Sequence, residues 1–189
     1  AEFLAAAASA TSIPKLHGVP EVIVTGRANV GKLSLLSAVL GRRGLLRTSE
    51  NPTINLYQVG RAPGEAVLVD APGCGGGGCP EWGEPLDHMS TTVKNRRIFV
   101  LFNGGHGLNG IDAMMLQSLD ERIQASVGLK FTKTDTIPYR KLASSIGQLR
   151  EGIAEAAPTC LGLIITLTAK YPHVGIDAVR NAIMHVCQR

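Results

Sequence analysis

Gly26-Arg27-Ala28-Asn29-Val30-Gly31-Lys32 constrains this chain more than any other stretch of it. The run fits Gly-x-x-x-x-Gly-Lys. It stands between the β-branched segment Glu21-Val22-Ile23-Val24-Thr25, entered from Pro20, and the segment Lys32 to Leu40, where Leu36, Val39 and Leu40 share a helical face and Gly41 supplies a stop. In the order strand, glycine turn, helix, successive backbone N–H groups can face inward and the positive end of the helix points at the same place. Lys32 adds a point charge. Gly26, Arg27, Ala28, Asn29, Val30, Gly31 and Lys32, with Leu33 and Ser34 opening the helix, are therefore the candidate phosphate-binding residues.

The pattern ordinarily continues with Ser or Thr, whose hydroxyl binds the magnesium that bridges two phosphates. Here that position is Leu33. A leucine cannot ligate a hard cation, and Ser34 is about 100° further round the helix. Magnesium binding is expected to be weakened, with water filling the coordination position.

A chain of 189 residues, 44% hydrophobic, is long enough for one good core and favours one domain. Strand-like runs at Glu21 to Thr25, Ile54 to Val59, Ala66 to Val69, Ile98 to Phe102, Val127 to Phe131 and Leu161 to Leu167 alternate with helical stretches. Those stretches are Ile111 to Ile123, Tyr139 to Ala156 and Ile176 to Val186. The pattern predicts an α/β protein, a mostly parallel six-stranded sheet with helices on both faces, in which residues 20–189 form the domain and 1–19 an N-terminal extension. No apolar run reaches the roughly eighteen residues a membrane span needs, so no membrane partner is expected. Cys74, Cys79, Cys160 and Cys187 show neither a Cys-x-x-Cys pair nor zinc-finger spacing. The net charge of +4 and pI near 9.0 permit a nucleic-acid partner without demanding one.

Three further motifs stand at strand ends, where ligands bind in open α/β sheets. Asp70-Ala71-Pro72-Gly73 follows the run Ala66 to Val69. An aspartate there can reach magnesium through water, and the Gly73 N–H can meet a γ-phosphate. Thr132-Lys133-Thr134-Asp135 follows Leu129-Lys130-Phe131. The Asp135 carboxylate can accept from both N1–H and the exocyclic amine of guanine, whereas adenine has an acceptor at N1 and no such amine; Lys133 can lay its methylene stem along the base. Last, Thr168-Ala169-Lys170 follows the apolar run from Leu161 and can offer N–H groups to the guanine oxygen. Taken together, the four elements predict a bound guanine nucleotide, GTP or GDP. A P-loop kinase would have no use for the last two.

In these residues the chain resembles the EngB family of translation-associated GTPases, whose members assist assembly of the large ribosomal subunit. The resemblance runs over almost the whole chain, through Pro20-Glu21-Val22, the glycine loop, Arg47-Thr48-Ser49, Pro52, Thr53-Ile54-Asn55, Asp70-Ala71-Pro72-Gly73 and Trp82-Gly83. It continues through His106, Thr132-Lys133-Thr134-Asp135, Thr168-Ala169-Lys170 and Gly175-Ile176-Asp177. It implies the small G-protein fold, a three-layer α/β/α P-loop sandwich, with Lys32 and Gly73 in catalytic positions and Asp70 on the metal. It also implies that Asn29 helps hold a monovalent cation, K+, as the matching asparagine does in some members.

The departures gather where chemistry would occur. Between Pro52 and Thr53 the family carries about four more residues, whose threonine is a magnesium ligand in switch I and orders around the γ-phosphate. Between Gly73 and Trp82 the chain is shorter than the family's switch II by roughly five residues. Cys74 stands where the family usually has Tyr, and where Ras-like enzymes place a water-orienting glutamine. Slow or absent hydrolysis is the expectation. The resemblance also implies the partners: precursors of the large ribosomal subunit, with their rRNA and ribosomal proteins, approached by a monomer in the mitochondrial matrix or a bacterial-type cytoplasm. Arg42, Arg43, Arg47 and the run Lys94-Asn95-Arg96-Arg97 are candidate contacts to rRNA phosphates.

Overall fold

The computed structural model describes residues 1–8, 12–14, 16, 18–42, 45–46, 53–60, 65–72, 96–123, 127–159, 161–165 and 174–187; of residues 122–123, 127–132, 135, 161–165 and 186–187 it describes the backbone alone. The strands are β1 (Glu2–Ala7), β2 (Glu21–Gly26), β3 (Ile54–Val59), β4 (Ala66–Asp70), β5 (Arg96–Asn103), β6 (Val127–Thr132) and β7 (Leu161–Ile165). The helices are α1 (Lys32–Leu40), α2 (Gly110–Ile123), α3 (Tyr139–Ala156) and α4 (Ile176–Cys187), with a short 3₁₀ turn at Thr134–Thr136.

The strand order is β1-β3-β4-β2-β5-β6-β7. Parallel pairing joins β4, β2, β5, β6 and β7, while β3 is antiparallel to both of its neighbours, β1 and β4. Side-chain alternation along the central strands divides the core in two. Ile23, Val67, Val69, Ile98, Val100 and Phe102 face one way, against Leu116 and Leu119 of α2 and Leu149 and Ile153 of α3. Val22, Val24, Leu68, Phe99 and Leu101 face the other way, against Leu35 and Leu36 of α1 and Ile176, Val179 and Ile183 of α4. That is why the central segments read as unbroken apolar runs: helices cover both sheet faces. Gly41 ends α1 as its position suggested, its N–H donating to the Ser37 carbonyl at 3.0 Å.

The strand count departs from expectation. Among the described residues the sheet has seven strands rather than six, because Glu2–Ala7, in the segment expected to lie outside the domain, pairs antiparallel with β3. Phe3 meets Tyr57 edge-on at a ring-centroid distance of 5.8 Å, Ala7 is fully buried, and Arg42 Nη1 donates to the Ala1 carbonyl at 3.0 Å. Three successive alanines favour helix over strand as isolated residues. The edge of β3 overrides that preference by offering a ladder of backbone hydrogen bonds that would otherwise stay open.

Candidate functional site

The glycine loop runs from the C-terminal end of β2, the central strand, into α1. Gly26 pairs with Leu101 of β5 at a φ of 151°, and a Cβ built on it would lie 2.7 Å from the Leu101 carbonyl oxygen. No side chain fits there. Beyond it the chain turns through left-handed conformations at Asn29 (φ 60°) and Gly31 (φ 97°), with the buried Val30 side chain pinning the loop to the core. Val30 N–H donates to the Arg27 carbonyl at 3.2 Å, and Leu35 N–H donates to the Gly31 carbonyl at 2.9 Å to begin the helix. The N-terminus of α1 has no acidic residue in its first turn and, among the described residues, no side-chain cap, so its N–H groups and positive dipole end are suited to an anion.

Lys32 reaches across to the end of β4. Its Nζ donates to the Ala71 carbonyl and lies 3.1 Å from Asp70 Oδ1. The two strand ends are neighbours because β2 and β4 are parallel, with Val24 opposite Asp70 and the Ala71 N–H donating to the Val24 carbonyl at 3.1 Å. Burial pushes the Asp70 carboxyl above its ordinary value, a shift that the Lys32 ammonium opposes without cancelling.

The Thr-Lys-x-Asp element meets the same loop from the end of β6. Lys133 opens the 3₁₀ turn in a left-handed conformation, φ 53°, and its Nζ donates to the Asn29 carbonyl at 2.7 Å. Its stem crosses Gly31 closely enough that a Cβ there would sit 3.4 Å from Lys133 Cε. The turn is tied down by Thr136 Oγ1, which donates to the Lys133 carbonyl at 2.7 Å, and by the buried Thr134. Two motifs a hundred residues apart in sequence are thereby brought into contact. The backbones of Thr132 and Asp135 fall in β6 and in this turn. Gly73, Thr168, Ala169 and Lys170 lie outside the described residues.

Two supports of the loop escaped the sequence reading. Arg27 Nη1 lies 3.8 Å from Asp112 Oδ2, on the first turn of α2. Asp112 in turn accepts from the Asn109 N–H at 3.2 Å, while Asn109 Oδ1 accepts from the Asp112 N–H at 2.9 Å, a reciprocal cap. The spacing Asn-x-x-Asp ahead of an apolar run was the available signal. Burial pushes the Asp112 carboxyl up; the Asn109 N–H and the Arg27 charge oppose that shift. At the other end of α1, Arg180 of α4 donates from Nε to the Val39 carbonyl at 3.0 Å and from Nη2 to the Ala38 carbonyl at 2.7 Å. Asp177 Oδ1 holds the same guanidinium at 3.0 Å from Nη1. Nothing in a linear reading links Arg180 to α1.

One candidate rRNA contact is corrected. Arg96 is not a surface cation: its side chain is 7% exposed and bonds from Nη2 and Nε to Glu21 Oε2 at 2.7 and 3.0 Å. It sits at the start of β5 directly opposite Glu21 at the start of β2, and a parallel register buries both. Arg42 remains exposed, whereas Arg43, Arg47 and Lys94 lie outside the described residues. No described helix is long and apolar enough to cross a membrane.

A mostly parallel sheet with a glycine loop at its central strand, a lysine held against an aspartate at the next strand end and a Lys-x-Asp turn over the loop defines a P-loop GTPase fold. Solved structures agree on that fold. Over 90% of this chain and 85% of the other, Toc33 from Arabidopsis thaliana in complex with Mg2+ and GMPPNP superposes with a TM-score of 0.69 at 14% identity. The crystal structure of a probable GTP-binding protein engB gives 0.61 at 19% identity over 89% of this chain and 98% of the other. No family model matches the sequence.

Curated relatives are closer in sequence, and each carries the name "probable GTP-binding protein EngB". That of Rhodopseudomonas palustris strain HaA2 is 31% identical over 193 residues, covering 97% of this chain and 88% of the relative. That of Bradyrhizobium diazoefficiens is 33% identical over 166 residues, covering 82% and 74%. The chain belongs to the EngB family of GTP-binding proteins.

Proposed function

We propose that this chain binds GTP and GDP and acts in assembly of the large ribosomal subunit, in the mitochondrial matrix. The observation carrying the nucleotide reading is the Lys133 contact with Asn29, which sets the guanine-selecting turn directly over the phosphate loop. Membership of the EngB family supports the ribosomal role. Phosphate contacts from exposed arginines such as Arg42 would release counterions, so binding to large-subunit precursors should weaken steeply with salt. Co-sedimentation with large-subunit precursors at low salt, lost as salt is raised, is the expected result. Co-sedimentation with small subunits alone would refute the ribosomal assignment.

A second reading is favoured by Leu33: a non-catalytic relative that keeps the fold and the nucleotide while serving as a structural module on rRNA. Phosphoryl transfer is catalysed by positioning and by neutralising charge, and Leu33 removes a donor from the place where neutralisation occurs. Lys32 and the loop N–H groups still serve the β-phosphate, so affinity survives where turnover does not. Single-turnover GTP cleavage should be very slow in the wild type and accelerate in Leu33→Ser. Wild-type turnover at or above roughly 10⁻² per second, the rate of a G protein carrying its arginine in cis, would rule the second reading out.

A further inference from the structure

Among the described residues, the donors at the phosphate site do not fit a magnesium ion. A hydroxyl at position 33 would enter the inner coordination sphere at about 2.0–2.1 Å, and the isobutyl group of Leu33 has no lone pair to offer. Leu33 is 38% exposed, so it is not there to fill the core either. Ser34 is also exposed and points about 100° away around α1. Asp70, the described acid beside the loop, is already engaged: its Oδ1 lies 3.1 Å from the Lys32 ammonium, which is steadied by the Ala71 carbonyl. A divalent cation drawn to the same carboxylate would face that ammonium at close range. Among the described residues, no group of three or more His, Cys, Asp and Glu side chains could hold a metal.

We propose that this chain binds guanine nucleotide as the metal-free species, with Lys32 supplying the positive charge at the β-phosphate and Asp70 acting as a positioning residue for Lys32 rather than as a metal ligand. The inference rests on the nucleotide reading above and deepens it. Several features of the site suit a phosphate without its cation. The α1 N-terminus has no acidic residue in its first turn, so nothing there opposes the phosphate charge. Lys32 and Lys133 both converge on the loop, Lys133 through the Asn29 carbonyl. The Lys32 ammonium has several N–H donors, so it can bridge Asp70 and an incoming phosphate oxygen at once. Asp70 then aims the lysine at the site instead of competing for a metal.

The test is GDP binding to the full chain, by calorimetry, in millimolar magnesium and in EDTA. The Kd in EDTA should be no weaker, within about threefold, than in millimolar magnesium, because magnesium complexes free GDP but not the bound nucleotide and so can only compete with binding. Weakening by about threefold or more in EDTA would overturn the proposal. That comparison uses the wild-type protein and needs no variant to fold. Asp70→Asn separates the two roles further: loss of a lysine positioner weakens GDP binding by the same factor in both buffers. A loss confined to the magnesium buffer would restore Asp70 to the metal and defeat the inference. Failure to bind GDP in either buffer would instead overturn the guanine-nucleotide reading itself, a result distinct from a magnesium-dependent Kd.

Discussion

Replacing Glu21 with Ala should destabilise the fold by about 3–5 kcal/mol, the cost of leaving a buried charge without its partner. Glu21 and Arg96 begin two adjacent parallel strands and face each other in register, with side chains 6% and 7% exposed. Arg96 cannot lower its cost by giving up a proton, since a guanidinium stays charged at any ordinary pH. Its Nη1 is buried with no hydrogen-bond partner among the described residues, so little there is available to replace the carboxylate. Urea unfolding of Glu21→Ala checks the size of the effect. The double variant Glu21→Met with Arg96→Met should lose far less than Glu21→Ala alone, because apolar side chains of similar volume can replace a buried pair at small net cost. A double variant as unstable as the single one would show that packing, not the unpaired charge, sets the loss.

The same pair shows where a linear reading fails. Lys94-Asn95-Arg96-Arg97 looks like a basic run, and charge runs are usually solvated. Only the register of β2 against β5 reveals that Arg96 meets Glu21, seventy-five positions away. Arg180 is the same kind of case, an ordinary helix arginine until α4 packs beside α1 and brings the Ala38 and Val39 carbonyls within reach. Glu2–Ala7 failed for another reason: its alanines carry almost no strand preference, and the edge of β3 decides its conformation.

What could be read directly was local. The glycine loop was legible because its backbone demands are largely local, as the positive φ of Gly31 shows. The central strands were legible because burial on both faces leaves an unbroken apolar run. The meeting of the glycine loop with the Thr-Lys-x-Asp turn was legible because parallel strands place their ends on one side of the sheet, and the Lys133 bond to Asn29 is the result.

Replacing Asp135 with Asn should weaken guanine-nucleotide binding by about 2–5 kcal/mol, as for removing one partner of a hydrogen-bonded charge pair. On the proposed guanine reading the carboxylate would accept from two adjacent guanine donors, whereas the amide would turn one acceptor into a third donor aimed at them. Lys133 fixes where this happens, since its bond to the glycine loop holds the turn that carries the Asp135 backbone above the phosphate site. A nucleotide bridging the two would therefore be read at its base and held at its phosphates.

Competition for that site is the most direct measurement of the account. With labelled GDP bound to the purified chain, unlabelled GTP and GDP should each displace it, and ATP at the same concentration should not. Displacement by ATP as readily as by GTP would contradict the assignment of a guanine-nucleotide site to these residues.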